Sequence, residues 1–228
     1  MRAGVLSAGV FGMVGRARPA VKEREIHEKV VNHASEWNEK AFAQQQIRNL
    51  VRQVFSCMGQ AVRHVVFSGV ELDADVSGVC WSVGKVLASE RSEDVVVVGS
   101  DPGEEAEGGA NWATQLRTRA KQVNRNLWHL SIPQIREKSE MNVEELRNLM
   151  AQVRREFGYS VVDDSVSGWM GRGSLAESAD GMVLVLSAMR TRRASARKLL
   201  DELAHVRLLG TVLQDREFPI PEGIYHRL

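Results

Sequence analysis

A chain of 228 residues with 43% hydrophobic content and 26% charge is long enough to bury a full α/β core, and 6% aromatics leave that core mainly to Val and Leu. A net charge of +1 and a pI near 7.9 exclude a global attraction to nucleic acid or to an anionic membrane. Cys57 and Cys80 form no CxxC pair, which argues against a disulfide framework and a cysteine zinc site and makes both buried thiols.

The first segment, residues 1–20, is apolar and Gly-rich but too short to span a bilayer, and reads as a flexible leader. Residues 21–56 alternate charge with Ile26, Val30, Trp37, Phe42, Ile47, Val51 and Val54 at helical spacing, giving one or two helices with a break near Asn32–Ser35. From residue 57 to 216 strands and helices alternate. Val62–Val70 is the first strand, and apolar periodicity resumes in a helix over Ser77–Glu90. Asp94–Ser100 is a continuous Val run of the kind buried on both faces in a parallel sheet, followed by an exposed Gly/Glu-rich loop through Gly109.

A helix over Trp112–Asn124 and a short strand over Leu127–Ile132 come next. Asn142 caps a helix over Val143–Phe157, with Glu144 and Glu145 in its first turn. Tyr159–Asp164 is a strand, Gly168–Ser174 a glycine-rich turn, Leu175–Ser178 a short helix and Met182–Met189 another strand. A basic helix from Thr191 to about His205 and a last strand, Leu208–Leu213, precede a tail over 217–228, whose Pro219 and Pro221 keep it extended. This alternation predicts a doubly wound, mostly parallel sheet flanked by helices.

The stretch Val65–Ala88, VVFSGVELDADVSGVCWSVGKVLA, has the strand, turn and helix layout of a phosphate-binding loop. In such a loop, glycines let backbone N–H groups cradle phosphates, a Lys neutralises the β/γ-phosphates and a Ser/Thr hydroxyl meets Mg²⁺. Here Glu71, Asp73 and Asp75 stand where glycines are wanted and Val76 where the Lys is needed; Ser77 alone fits. Carboxylates facing a triphosphate repel it. The layout therefore predicts a P-loop NTPase-like fold with a degenerate nucleotide site.

Three further segments agree in order and spacing: VVVVGSDP, FGYSVVDDS, and ADGMVLVLSAMRTRRASARKLLDEL followed by LLGTVLQDR. Together with the loop, over residues 40–216, they resemble the cytoplasmic kinase domain of the bacterial tyrosine kinases of capsule and exopolysaccharide synthesis, CpsD/CapB-like proteins of the MinD/ParA-like P-loop group. The resemblance implies a pathway in polysaccharide synthesis and export. It implies as partner a chain-length regulator, the polysaccharide co-polymerase of the inner membrane, and as location the cytoplasm, peripheral to that membrane through the partner. It also implies a homo-oligomer, without nucleic acid.

Carried over residue by residue, the lost Lys falls on Val76 or Asp75, the hydroxyl on Ser77 and the later-strand aspartate on Asp163, with Asp164 beside it. The second aspartate motif keeps Asp101, while its first acid falls on Gly99. Of the ring-forming Glu and two Arg, Arg48 fits the last, with Phe42 and Gln45 at the other places; Arg48 and Arg52 are the oligomer contact candidates. The tyrosine cluster is absent from the tail, where Tyr225 stands alone.

These departures lead to the expectation of a non-catalytic, kinase-like scaffold or regulator with no catalytic residue and no cofactor. The alternatives are an active ATP-binding tyrosine kinase or ATPase, using ATP and Mg²⁺ with Arg172 or Lys85 supplying the missing charge, and a ParA/MinD-like positioning protein. Functional groups gather at the carboxyl ends of such strands. Asp73, Asp75, Asp101, Asp163 and Asp164 are thus placed to converge on a hard cation, held by Asp101 and Asp163 if at all, or to point into solvent. The basic run Arg190, Arg192, Arg193, Arg197 and Lys198 is either a contact for an acidic partner or a solvated helix face. His64 and His129 are structural, and Trp81 is either core or a filler of the nucleotide space.

Overall fold

A computed structural model describes residues 39–56, 61–71, 73–100, 116–132, 143–166, 173, 175–188 and 190–214. The leader, residues 21–38 of the 21–56 segment, Cys57, Asp101, the loop through Gly109, Asn142, Arg172 and the tail lie outside the described residues. The chain divides into two units, Met1–Phe42 and Ala43–Leu228, and the sheet belongs to the second.

The elements run α1 (Glu39–Ser56), β1 (His64–Gly69), α2 (Val76–Glu90), β2 (Val95–Gly99), α3 (Leu116–Arg119), β3 (Lys121–Asn124), β4 (Leu127–Ser131), α4 (Val143–Glu156), β5 (Tyr159–Asp163), a 3₁₀ turn (Ala176–Ser178), β6 (Gly181–Ser187), α5 (Arg193–Glu202) and β7 (Leu208–Gln214). The strands form one seven-stranded sheet in the order β3-β4-β2-β5-β1-β6-β7. Every neighbouring pair is parallel except β3 with β4. The central strands are buried on both faces because they are almost wholly apolar: all five residues of VVVVG in β2 are buried.

Period-two alternation sends their side chains into two cores. Val65, Phe67, Val95, Val97, Val161 and Val183 meet α1 and α2 through Val51, Val54, Val79, Val83 and Leu87. Val66, Val96, Val98, Val162, Met182 and Leu184 meet α3, α4 and α5 through Leu116, Leu146, Met150, Val153 and Leu199. Helices thus cover both faces of a doubly wound sheet.

One element differs from the sequence reading. The helix expected over Trp112–Asn124 is, among the described residues, a single turn at Leu116–Arg119, and Lys121–Asn124 is an antiparallel edge strand. All four residues of that strand are exposed, so no apolar alternation marks it; its pairing with β4 makes it a strand. Among the described residues no helix is long and apolar enough to cross a membrane.

Candidate functional site

β1 lies between β5 and β6, where the strand order reverses, and the loop from Val70 to Asp75 leaves its carboxyl end for α2. This is where a doubly wound sheet binds ligands. The loop is folded tightly back on the strand: a Cβ at Gly69 would stand 2.9 Å from the Glu71 carbonyl oxygen and 3.1 Å from the Ala74 Cβ. Only glycine allows that approach.

At the start of α2, Asp75 turns its carboxylate onto the helix, and its Oδ1 accepts the Gly78 backbone N–H at 2.8 Å. Gly78 is required for this contact as well, since a Cβ there would come within 2.1 Å of Asp75 Oδ2. Other amides of the loop and first turn are also bonded within the chain: Ala74 N–H to Glu71 O, Val76 N–H to Ala74 O and Val79 N–H to Asp75 O. A helix N-terminus presents free N–H groups and a positive dipole end to an anion. Here a carboxylate of the chain itself occupies that position.

The other acids have separate partners. Asp73 pairs with Arg190, from the turn after β6, and both side chains are exposed. Asp163, fully buried at the end of β5, accepts from the Ser77 hydroxyl at Oδ2 and from the Ser165 N–H at Oδ1, 2.9 Å away. Asp164 accepts from the buried Ser68 hydroxyl at 2.7 Å and from the Gly173 N–H at 3.1 Å. The acids therefore share the sheet's carboxyl edge without converging, and among the described residues no group of three His, Cys, Asp or Glu is placed to hold a metal ion.

A small cavity of about 80 Å³ remains beneath the loop, lined by Ser68, Gly69, Glu71, Val76, Asp164 and Ser165 among others. It is far smaller than the roughly 300–1,000 Å³ of a typical ligand pocket.

Burial pushes the Cys80 thiol well above its usual range, followed by the carboxylates of Asp163 and Asp75, so it is an inert packing group. Trp81 packs against His129 with ring centroids 4.9 Å apart and planes tilted by 41°, and the Lys85 ammonium lies 5.9 Å from the Trp81 centroid. Neither Trp81 nor Lys85 lines the cavity. His64, at the opposite edge of the sheet, is buried, and its Nδ1 lies 3.0 Å from the Ser160 hydroxyl. Arg48 and Arg52 are exposed on α1.

Sequence reasoning located Asp75, Ser77, Asp163 and Asp164 but missed Ser68, Arg190 and Gln214 as partners of the site's residues. Gln214 donates from Nε2 to the Asp75 carbonyl at 2.8 Å, tying the loop to β7. These contacts join residues far apart in sequence, so no local pattern announces them. The DxxG spacing of Asp75 and Gly78 was the readable signal for the cap.

No family model matches the chain, and no curated protein matches it. Solved structures do. The kinase domain of the Escherichia coli tyrosine kinase ETK aligns at 13% identity over 85% of this chain and 84% of its own, with a TM-score of 0.59. The VpsO kinase domain aligns at 13% identity over 79% of this chain and 100% of its own, with a TM-score of 0.57. A ParA family ATPase from Chlorobium tepidum aligns at 17% identity over 67% and 74%, with a TM-score of 0.50. Identities this low speak for architecture alone: the chain has the P-loop NTPase-like fold also found in bacterial tyrosine kinase domains and ParA-family ATPases.

Proposed function

We propose that the chain is a non-catalytic, kinase-like protein acting as a scaffold or regulator in exopolysaccharide or capsule synthesis and export. The observation that carries this reading is the Asp75 carboxylate on the Gly78 N–H, at the helix end where a phosphate would sit. A triphosphate entering there must displace a hydrogen-bonded carboxylate, meet Glu71 and Asp73, and do without a loop lysine. ATP with Mg²⁺ does not fit this loop. Likeness of fold to ETK and VpsO supports the pathway assignment. A chain-length regulator of the inner membrane is then the natural partner, placing the protein at the cytoplasmic side of that membrane.

A second reading has one specific observation in its favour. The Ser77 hydroxyl bonds the Asp163 carboxylate, and a loop hydroxyl and a strand aspartate are the groups that hold Mg²⁺ in P-loop NTPases. An ATPase or tyrosine kinase would use that pair. Incubating the purified chain with radiolabelled ATP, Mg²⁺ and a tyrosine-containing peptide separates the two. The scaffold reading expects no label on peptide or protein; tyrosine labelling that Asp163→Ala abolishes would overturn it.

A further inference from the structure

β7 pairs with β6 and, among the described residues, has no strand on its other side. Edge strands are usually short or charged, which keeps other chains from pairing with them. β3, at the far edge, has four residues and carries Lys121. β7 has seven, LLGTVLQ, with no charge and no proline, and its pairing with β6 is regular from Gly210 to Gln214. The Ala188 N–H donates to the Gln214 carbonyl at 2.9 Å, so the alternation of the ladder turns the N–H and C=O groups of Thr211 and Leu213 to the open side.

The surface beside this edge is apolar and basic. Three of the four exposed large hydrophobics among the described residues lie here: Leu200, Leu208 and Leu213, at 41%, 43% and 54%. Leu208 and Leu213 stand beside Met182 and Leu186 of β6, on the sheet face that α5 covers. On α5, Arg193, Arg197 and Leu200 share one stripe by their i, i+4, i+7 spacing. Ser195, Lys198 and Glu202 face the loop after β1 from the opposite flank of the helix, so the stripe looks toward β7. Arg193 and Arg197 are exposed, and among the described residues neither has a hydrogen bond or ion pair. Residues 190–214 carry six Lys or Arg against two acids; Glu202 is paired with Lys198, which leaves Asp201 alone against both arginines.

An anionic membrane would meet the arginines and leucines but leave the β7 edge groups unbonded in a dry medium. A second copy pairing through β7 would bring two sets of the same arginines together. The tail over 217–228 carries Pro219 and Pro221, which lack the N–H that an added strand donates. An extended partner segment bonds the edge as an added strand and sets carboxylates on the α5 face against Arg193 and Arg197. We infer that the β7–α5 flank docks an acidic, strand-forming segment of a partner protein. The inference stands on this flank alone, so its failure and that of the scaffold reading are separable.

The test uses the full chain and a fluorescein-labelled nine-residue peptide of alternating glutamate and valine, read by anisotropy, with a lysine and valine peptide as control. Expected is saturable binding of the glutamate peptide alone, weakened about tenfold, or about 1.4 kcal/mol, when Arg193→Gln and Arg197→Gln are combined. Thr211→Pro, which removes an outward N–H and no bond to β6, weakens it similarly, while Arg155→Gln on α4 leaves it unchanged. Urea midpoints confirm that each variant is folded; Leu213→Glu, which adds a carboxylate to the flank, replaces Thr211→Pro if that variant unfolds. Absence of saturable binding overturns the inference, as does wild-type binding by the double arginine variant or by the β7 variant, or an equal loss in Arg155→Gln. Flotation with phosphatidylserine and phosphatidylcholine vesicles that the double arginine variant loses and the β7 variant keeps would overturn it in favour of a membrane. Sedimentation showing a dimer of the wild type that the β7 variant dissolves would overturn it in favour of a second copy.

Discussion

Replacing Asp75 by Ala removes the acceptor that caps α2, while the Gln214 contact to the Asp75 carbonyl can persist because it involves the backbone. The lost bond, 2.8 Å from Gly78 N–H to Oδ1, has the geometry of a full cap. Such substitutions cost about 1 kcal/mol, within a range of roughly 0.5–2 kcal/mol. The helix itself should persist, because Val79, Cys80, Val83 and Leu87 anchor it in the core. For a domain of this size, about 1 kcal/mol lowers Tm by about 2–4 °C. Asp75→Asn keeps a side-chain oxygen and loses only the charge on the helix dipole, worth about 0.3–1 kcal/mol, so it should fall between wild type and Ala. Urea denaturation followed by Trp fluorescence reads all three, with Trp81 on α2 as a local reporter. Inorganic phosphate should then raise the midpoint of Asp75→Ala and leave wild type unmoved, because in wild type the Gly78 amide is already bonded to the carboxylate and the carboxylate repels the anion. An unchanged midpoint in Asp75→Ala, or equal loss in Asn and Ala, would refute the claim that this carboxylate closes the helix end.

Burial, then the Arg154 charge, holds His64 down to about 4 despite the opposing Asp180 carboxylate, so between its ordinary 6.5 and about 4 the unfolded chain takes up a proton that the folded chain refuses. Stability should therefore fall as pH drops through that window, by at most about 3 kcal/mol, and urea midpoints from pH 7.5 to 4.5 should show a flatter profile in His64→Gln. Gly84→Val should destabilise by about 2 kcal/mol or more, because even a Cβ at Gly84 would stand 2.3 Å from Val97 Cγ2 where α2 rests on β2; a stable variant in calorimetry would contradict that packing. Arg190→Ala should change the stability read from urea denaturation by less than about 0.5 kcal/mol, since its pair with Asp73 is exposed at both ends.

The fold was legible where burial writes itself into the chain. The Val run of β2, the apolar β6 and the periodic α4 lie within a residue or two of their expected bounds because each has an apolar face that only one kind of element can bury. β3 was not legible, because its four exposed residues carry no such mark and its pairing with β4 is a tertiary event. At the site, the residue types of the loop led to the expectation of a degenerate nucleotide site, and the bond between Ser77 and Asp163 joins two of the residues singled out from sequence. What the sequence could not convey was how five carboxylates would be spent. A crowd of acids is equally consistent with a cation site, a solvated rim or separate internal bonds. Long-range contacts such as Ser68 with Asp164 and Arg190 with Asp73 decide among these for the described acids.

Isothermal titration of the purified chain with ATP and ADP, with and without Mg²⁺, addresses the central claim most directly. With the α2 end capped by Asp75 and no loop lysine, no heat of binding is expected up to millimolar nucleotide. Micromolar, Mg²⁺-dependent binding would contradict the scaffold reading and make Ser77 and Asp163 the working pair of an ATP-dependent enzyme.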